Sequence, residues 1–248
     1  KTGKIMNRLL IAVAVASVIG SVGVANAAAG DSTISLGYAQ IHGNGLKKLV
    51  NGAGSAIKGI DTESLREDYI NYGYPSDINI SSGHADKYRD PKGFNVKYRY
   101  EFTDNLGVIG SFTYAGEQYK GGISGSSVSE AASEDISGSI KARYFNISVG
   151  PVWRFNDWVS VYATGGVAFA KYSGYYSDSI KYEKTKYREA STENVGSGSI
   201  GKTKTEFAYG AGLQFNPVNN VAIDVAYEGT TGGDFKSSGF IVGVGYKF

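Results

Sequence analysis

The chain has 248 residues, which leaves room for one or two domains. It has no cysteine, which excludes a disulfide framework and thiolate metal sites; 35 glycines and 19 tyrosines against 4 prolines suit an all-β chain with many turns. The formal charge of +2 gives no argument for nucleic acid binding, because it rests on an amino-terminal segment expected to be removed.

That segment reads MNRLLIAVAVASVIGSVGVANA from Met6. A basic start at Arg8, an apolar run from Leu9 to Val24 and an Ala25-Asn26-Ala27 end are the parts of a secretory signal peptide; the run is short for a transmembrane anchor. We expect residues 1–27 to be that signal, with 1–5 as upstream sequence, and 28–248 to be the mature domain. Without Lys1, Lys4 and Arg8 the formal charge falls from +2 to −1. No later run is long and apolar enough for a membrane helix.

Eight segments then alternate with period two, the signature of strands with two unlike faces. In order, one face carries Ile34, Leu36 and Tyr38; Phe94, Val96, Tyr98, Tyr100 and Phe102; Leu106, Val108, Phe112 and Tyr114; and Phe145, Ile147, Val149, Trp153 and Phe155. The later segments add Val159, Val161, Val167 and Phe169; Phe207, Tyr209, Leu213 and Phe215; Val221, Ile223, Val225 and Tyr227; and Phe240, Val242, Val244, Tyr246 and Phe248. The opposite faces carry charges, hydroxyls, amides and many glycines. A soluble sandwich needs its inward faces large and apolar. Here the reverse fits: rings outside in lipid, small and paired polar groups inside an eight-stranded barrel too narrow for an aqueous channel. An outward Arg or Lys at mid-bilayer would cost roughly 2–4 kcal/mol, and the middles of the outward faces hold none.

The connections alternate in length. Three are tight, at Thr103, at Asn156-Asp157 and from Asn216 to Asn220. Four are long: about His42 to Pro91, Gln118 to Gly138, Ser173 to Thr203 and Gly229 to Ser237. Short periplasmic turns and long extracellular loops are the pattern of outer-membrane barrels, with both termini in the periplasm. Aromatic girdles are expected at Phe102, Phe155, Trp158, Phe215 and Phe248 on the periplasmic side, and at Phe94, Tyr119, Tyr172 and Phe207 on the outer side.

GFNVKYRYEF, LGVIGSFTY, FNDWVSVY, YGAGLQFNP and the ending GVGYKF resemble the Ail/Lom/OmpX family of enterobacterial outer-membrane proteins across all eight strands. The resemblance implies a monomeric all-β barrel, an eight-stranded antiparallel transmembrane up-and-down β-barrel with long extracellular loops. Val244, Tyr246 and Phe248 are similar to the terminal signal that the barrel-assembly machinery reads. Some family members support adhesion to host cells or matrix, cell entry or complement resistance. Others, including phage-encoded ones, have no settled role. The first and third loops are longer than the family's small members have, and loops carry specificity.

Candidate sites follow from this topology. Lys92, Lys120, Lys141, Arg143, Lys171, Lys202, Lys204 and Lys236 lie near outer strand ends, where a ring of cations would meet lipopolysaccharide phosphates; ordinary solvated lysine is the plainer reading. Lys97, Arg99, Glu101, Arg154, Asp224, Glu228 and Lys247 form an inward charge network, structural rather than catalytic or conducting. GLKKLVNGAGSAIKGI places Leu46, Leu49, Val50, Ala53, Ile57 and Ile60 at helical spacing, compatible with a host- or lipid-contacting helix or, more plainly, with a loop segment packed on its neighbours. Tyr69, Tyr72, Tyr74, Tyr175, Tyr176, Tyr182 and Tyr187 suit protein contact, or an interfacial position. His42 and His84 stand without a catalytic companion motif, and no phosphate loop, metal-ligand spacing or EF-hand occurs, so neither a catalytic nor a metal site nor a cofactor is expected. Two functions remain: a surface protein binding host matrix, cells or complement proteins, or an envelope or phage-encoded surface protein with no host ligand.

Overall fold

A computed structural model describes residues 29–233 and 236–248. The expected export signal lies outside these residues. Ten strands and two helices follow in order: β1 (Ser32–Gly43), α1 (Asn44–Lys58), α2 (Thr62–Asn71), β2 (Asn79–Ile80), β3 (His84–Ala85), β4 (Lys92–Glu101), β5 (Leu106–Ser127), β6 (Ala132–Arg154), β7 (Val159–Tyr182), β8 (Ser191–Val218), β9 (Val221–Thr230) and β10 (Ser237–Lys247). Every pairing is antiparallel. β1 pairs with both β4 and β10, and β4 through β10 pair in sequence, so eight strands close on themselves. β2 and β3 are short and pair only with β5. Closure removes sheet edges within the ring, which a bilayer demands because it offers backbone groups no other partner.

The polarity is inverted, as the alternation requires. Leu36, Val149, Trp153 and Phe240 are exposed on the outer surface, whereas Lys97, Arg99, Glu101, Arg154, Asp224 and Glu228 are at most 4 % exposed. The lumen is not purely polar: Ala39, Ile109, Val152, Tyr162, Ala226 and Ile241 form one interior cluster, and Ile41, Ala115, Tyr144, Ala168 and Ala208 another. Space for the rings comes from glycine. A Cβ on Gly212 would lie 2.3 Å from the Tyr162 ring.

The three tight turns are where the sequence puts them. Thr103 Oγ1 accepts from the Leu106 amide at 3.0 Å, and Asn156 Oδ1 accepts from the Trp158 and Val159 amides at 2.9 Å each. The second and third long loops differ from expectation, being mostly not loops. β5 and β6 run on to Ser127 and Ala132, and β7 and β8 to Tyr182 and Ser191. A membrane-spanning strand needs about 9–11 residues, which β1, β4, β9 and β10 roughly match at 12, 10, 10 and 11. β5 to β8 have 22 to 28. The surplus is a four-stranded sheet running on for roughly 40 Å along its strands, at about 3.3 Å per residue.

Candidate functional site

The rim at the long-strand end of the barrel is built from two stacked rows. Phe94, Tyr114, Phe145 and Phe169 are register partners across β4 to β7 and face outward. Ring centroids are 5.7 Å apart for Phe94 and Tyr114 and 4.9 Å for Tyr114 and Phe145. Two residues above, in register, stand Lys92, Gly116, Arg143 and Lys171 on the same outward face. Arg143 and Lys171 are direct cross-strand partners, and like charges so placed repel unless an anion lies between them. Lys120 and Lys141 share the outward parity higher up the sheet; Lys236 lies at the entry to β10 and is exposed.

Two of the eight expected cations do not join this face. Lys202 pairs with Tyr172 and Lys204 with the buried Ala170, which puts both on the inward parity. Two rings of the expected outer girdle turn inward too. Tyr119 is buried and Tyr172 packs against the cluster of Leu46, Val50, Tyr119 and Ala142. The aromatic row at this end runs from Phe94 to Phe169, and Phe207 faces outward beside it as expected.

That inward cluster is the seat of α1. Leu46, Val50 and Gly54 are its buried face: the segment is a helix, as its spacing predicts, and it packs on its neighbours at the barrel mouth, as the plainer reading had it. Leu49 and Ile60 remain exposed. Tyr88 fixes the entry, its hydroxyl accepting from the Gly43 amide at 2.9 Å and its ring stacking on Tyr119 at 5.9 Å. Burial pushes the Tyr88 hydroxyl up to about 12. His42 ends β1 rather than lying in the loop, with Nδ1 2.8 Å from Asp90 and Nε2 3.2 Å from Asn44. Both ring nitrogens are engaged in holding the mouth. His84 sits on β3, paired with Gly122.

The tyrosines divide into three places. Tyr69, Tyr72, Tyr74 and Tyr182 line one cavity of about 340 Å³ at the tip of the sheet. Tyr175 and Tyr176 line a groove of about 440 Å³ between α1 and β6–β8. There the Tyr176 ring lies against the β8 backbone: a Cβ on Gly198 would be 2.3 Å from it. Tyr187 stands apart, 90 % exposed, with Lys186 over its ring.

By direct contact the lumen charges fall into three groups. Lys97 pairs with Asp224, which also accepts from the Tyr162 hydroxyl at 2.8 Å. Arg99 and Arg154 share Glu101. Glu228 takes neutral donors, Thr113 Oγ1 at 2.9 Å and Asn146 Nδ2 at 3.0 Å. Among these residues three cations face three carboxylates. Lys247 lies away from these, 3.1 Å from Asp31. Sequence reasoning did not assign Tyr162, Thr113, Asn146 or Asp31 to these groups, although inward parity marked the first three as available. At the chain end, Val244, Tyr246 and Phe248 share the outward face, the last two stacked at 6.3 Å.

A closed antiparallel barrel that is apolar toward lipid and charge-balanced within, with tight turns at one end and long extensions at the other, defines an integral outer-membrane β-barrel protein. The chain belongs to the Ail/Lom family: the family described as Enterobacterial Ail/Lom protein matches residues 73–248. It is 40 % identical over 157 residues to outer membrane protein lom of Escherichia phage lambda, covering 63 % of this chain and 73 % of that protein. It is 32 % identical over 246 residues to the attachment invasion locus protein of Yersinia pseudotuberculosis, covering 98 % of each. The crystal structure of Ail, the attachment invasion locus protein of Yersinia pestis, in complex with the heparin analogue sucrose octasulfate, matches with a TM-score of 0.50 and 29 % identity, covering 89 % of this chain and 99 % of that one. The family is one of outer-membrane barrels, not of enzymes.

Proposed function

We propose that this chain is a surface interaction protein whose long extensions are extracellular, whose termini are periplasmic, and which binds host cells, matrix or complement proteins. The observation that carries this reading is the four-stranded sheet above the barrel and the state of its two edges. On the β5 side, β2 and β3 cover the edge. On the β8 side, pairing with β9 begins only at Ala208, and no described strand pairs with the outer edge of residues 191–206. An open strand edge accepts an extended peptide through backbone hydrogen bonds. The test is adhesion of bacteria displaying the barrel with Val195→Lys and Ile200→Lys, since edge lysines block strand addition. Several-fold weaker binding to cells or matrix, at equal surface display, supports the reading; equal binding refutes it.

The outward cations Lys92, Arg143 and Lys171 serve, in the same reading, to seat the barrel in lipopolysaccharide, their charges meeting lipid phosphates just above the aromatic row. The relative's complex with a polysulfated sugar supports an anion-binding outer rim. Val244, Tyr246 and Phe248 serve as the signal for the barrel-assembly machinery, and the barrel acts as a monomer. A second reading, an envelope or phage-encoded barrel that alters the cell surface without a host ligand, draws support from the identity with the phage lambda protein.

A further inference from the structure

The cavity at the tip of the protruding sheet lies under α2 and the turn that follows it. Asp61 caps α2, accepting from the Glu63 and Ser64 amides at 3.1 and 3.2 Å. Asp77 ties the segment after α2 to the β5–β6 turn, accepting from the Ser127 hydroxyl at 2.9 Å and the Ser129 amide at 2.7 Å. These two carboxylates are therefore used. Glu134 differs. It lines the cavity beside Tyr69, Tyr74 and Tyr182 and interacts with Asp178, another carboxylate. Among the described residues neither acid has an ion-pair partner, and one carboxylate oxygen of Asp178 is buried without a hydrogen bond. Burial first, and Asp178 second, push the Glu134 carboxyl above its ordinary value. The two carboxyls also hydrogen-bond to each other, which one shared proton allows, and a cation can take the place of that proton.

The walls suit a cation as well. The Tyr69 and Tyr74 rings meet edge to face at 5.0 Å and 73°. The Tyr182 ring already carries a guanidinium, with Arg188 4.3 Å from its centroid. Arg188 is itself committed, donating to the backbone carbonyls of Glu130 and Ala131. The volume of about 340 Å³ exceeds one side chain, so a partner can insert a residue with part of its backbone.

We propose that this cavity receives an arginine side chain of a partner protein, with Glu134 accepting from the guanidinium and Tyr69, Tyr74 and Tyr182 supplying ring faces. A guanidinium uses both features, being planar for stacking and forked for a carboxylate. An ammonium is a compact, strongly hydrated charge, and a quaternary ammonium has no N–H to give Glu134. This inference deepens the interaction-protein reading and rests on it for its biological setting.

The test uses the full barrel in lipid nanodiscs and three blocked tripeptides, Gly-Arg-Gly, Gly-Lys-Gly and the uncharged Gly-citrulline-Gly. Binding is followed by chemical shifts of the Tyr69, Tyr74 and Glu134 signals. The arginine peptide is expected to shift them saturably, and Glu134→Gln or Tyr74→Ala to weaken it roughly tenfold or more, the scale of a lost charge-assisted hydrogen bond. Tyr187→Ala, outside the cavity, should leave binding unchanged. Equal binding of the lysine or citrulline peptide, undiminished binding by both variants, or no saturable shift would each overturn the proposal. Whole-cell adhesion tests the broader reading separately: adhesion can fail while the peptide still binds, and peptide binding can fail while the β8 edge still supports adhesion.

Discussion

Asp224→Asn perturbs the lumen at a fully enclosed ion pair. Lys97 is 3 % exposed and Asp224 1 %, so an orphaned charge there is shielded from bulk solvent. The amide keeps the size of the carboxylate and a partner for the Tyr162 hydroxyl, so the change isolates the charge. Breaking one side of a buried pair costs about 3–5 kcal/mol, two to nearly four orders of magnitude in the folding equilibrium. The assay is urea unfolding of the barrel in lipid vesicles, followed by fluorescence of the chain's two tryptophans, Trp153 and Trp158. Lys97→Met with Asp224→Leu removes both charges and should recover most of the loss, because a buried pair replaced by apolar groups is often neutral or better. A single variant within about 0.5 kcal/mol of the parent, or a double variant no more stable than the single, would refute the view that these charges are held by mutual pairing.

Other outcomes follow from particular contacts. Arg143→Gln with Lys171→Gln should weaken binding to purified lipopolysaccharide, while Lys202→Gln with Lys204→Gln, on the inward parity, should change it far less; equal losses would remove the outward row as the contact. Val50→Asp puts an unpaired charge in the seat of α1, at a cost of several kcal/mol, and should raise hydrogen exchange across 44–58 while exchange in the barrel strands stays unchanged. Asp77 is held below its ordinary value, chiefly by the Ser129 amide and then the Ser127 hydroxyl. A lowered folded value means its contribution is present above the unfolded carboxylate range near 4 and is lost as pH falls through the folded value. The protection of the Ser129 amide, measured against its intrinsic exchange rate at each pH, should therefore fall on acidification from about pH 5 to pH 2, and Asp77→Asn should flatten that response.

The strand faces were readable because lipid and lumen differ so much. GFNVKYRYEF places Phe94 and Tyr98 against Lys97 and Arg99, and the barrel keeps every one of those sides. Above the membrane the contrast vanishes, because water reaches both faces. STENVGSGSIG in β8 therefore carries no alternation, and strands as long as 28 residues read as loops. Parity was lost along with them. Tyr119 is five residues after Tyr114, an odd step that turns it from the girdle to the interior, and Lys202 and Lys204 were placed by height alone. α1 showed its spacing, but Gly52 and Gly54 masked it; Gly54 is buried against Ala85, where a Cβ would be 3.4 Å away. The Glu134–Asp178 contact was invisible, because it joins residues 44 apart through a pairing that the sequence did not reveal.

The absence of native cysteine allows the decisive measurement, single spin labels on the barrel in bilayers. Labels at Val149, Ile223 and Val242 should be reached by oxygen, which concentrates in hydrocarbon, and shielded from a water-soluble nickel reagent, while a label at exposed Thr103 in a tight turn should show the opposite. Ready access of nickel to all three outward positions in the assembled membrane would mean that the aromatic surface faces water, and the inverted barrel would be wrong.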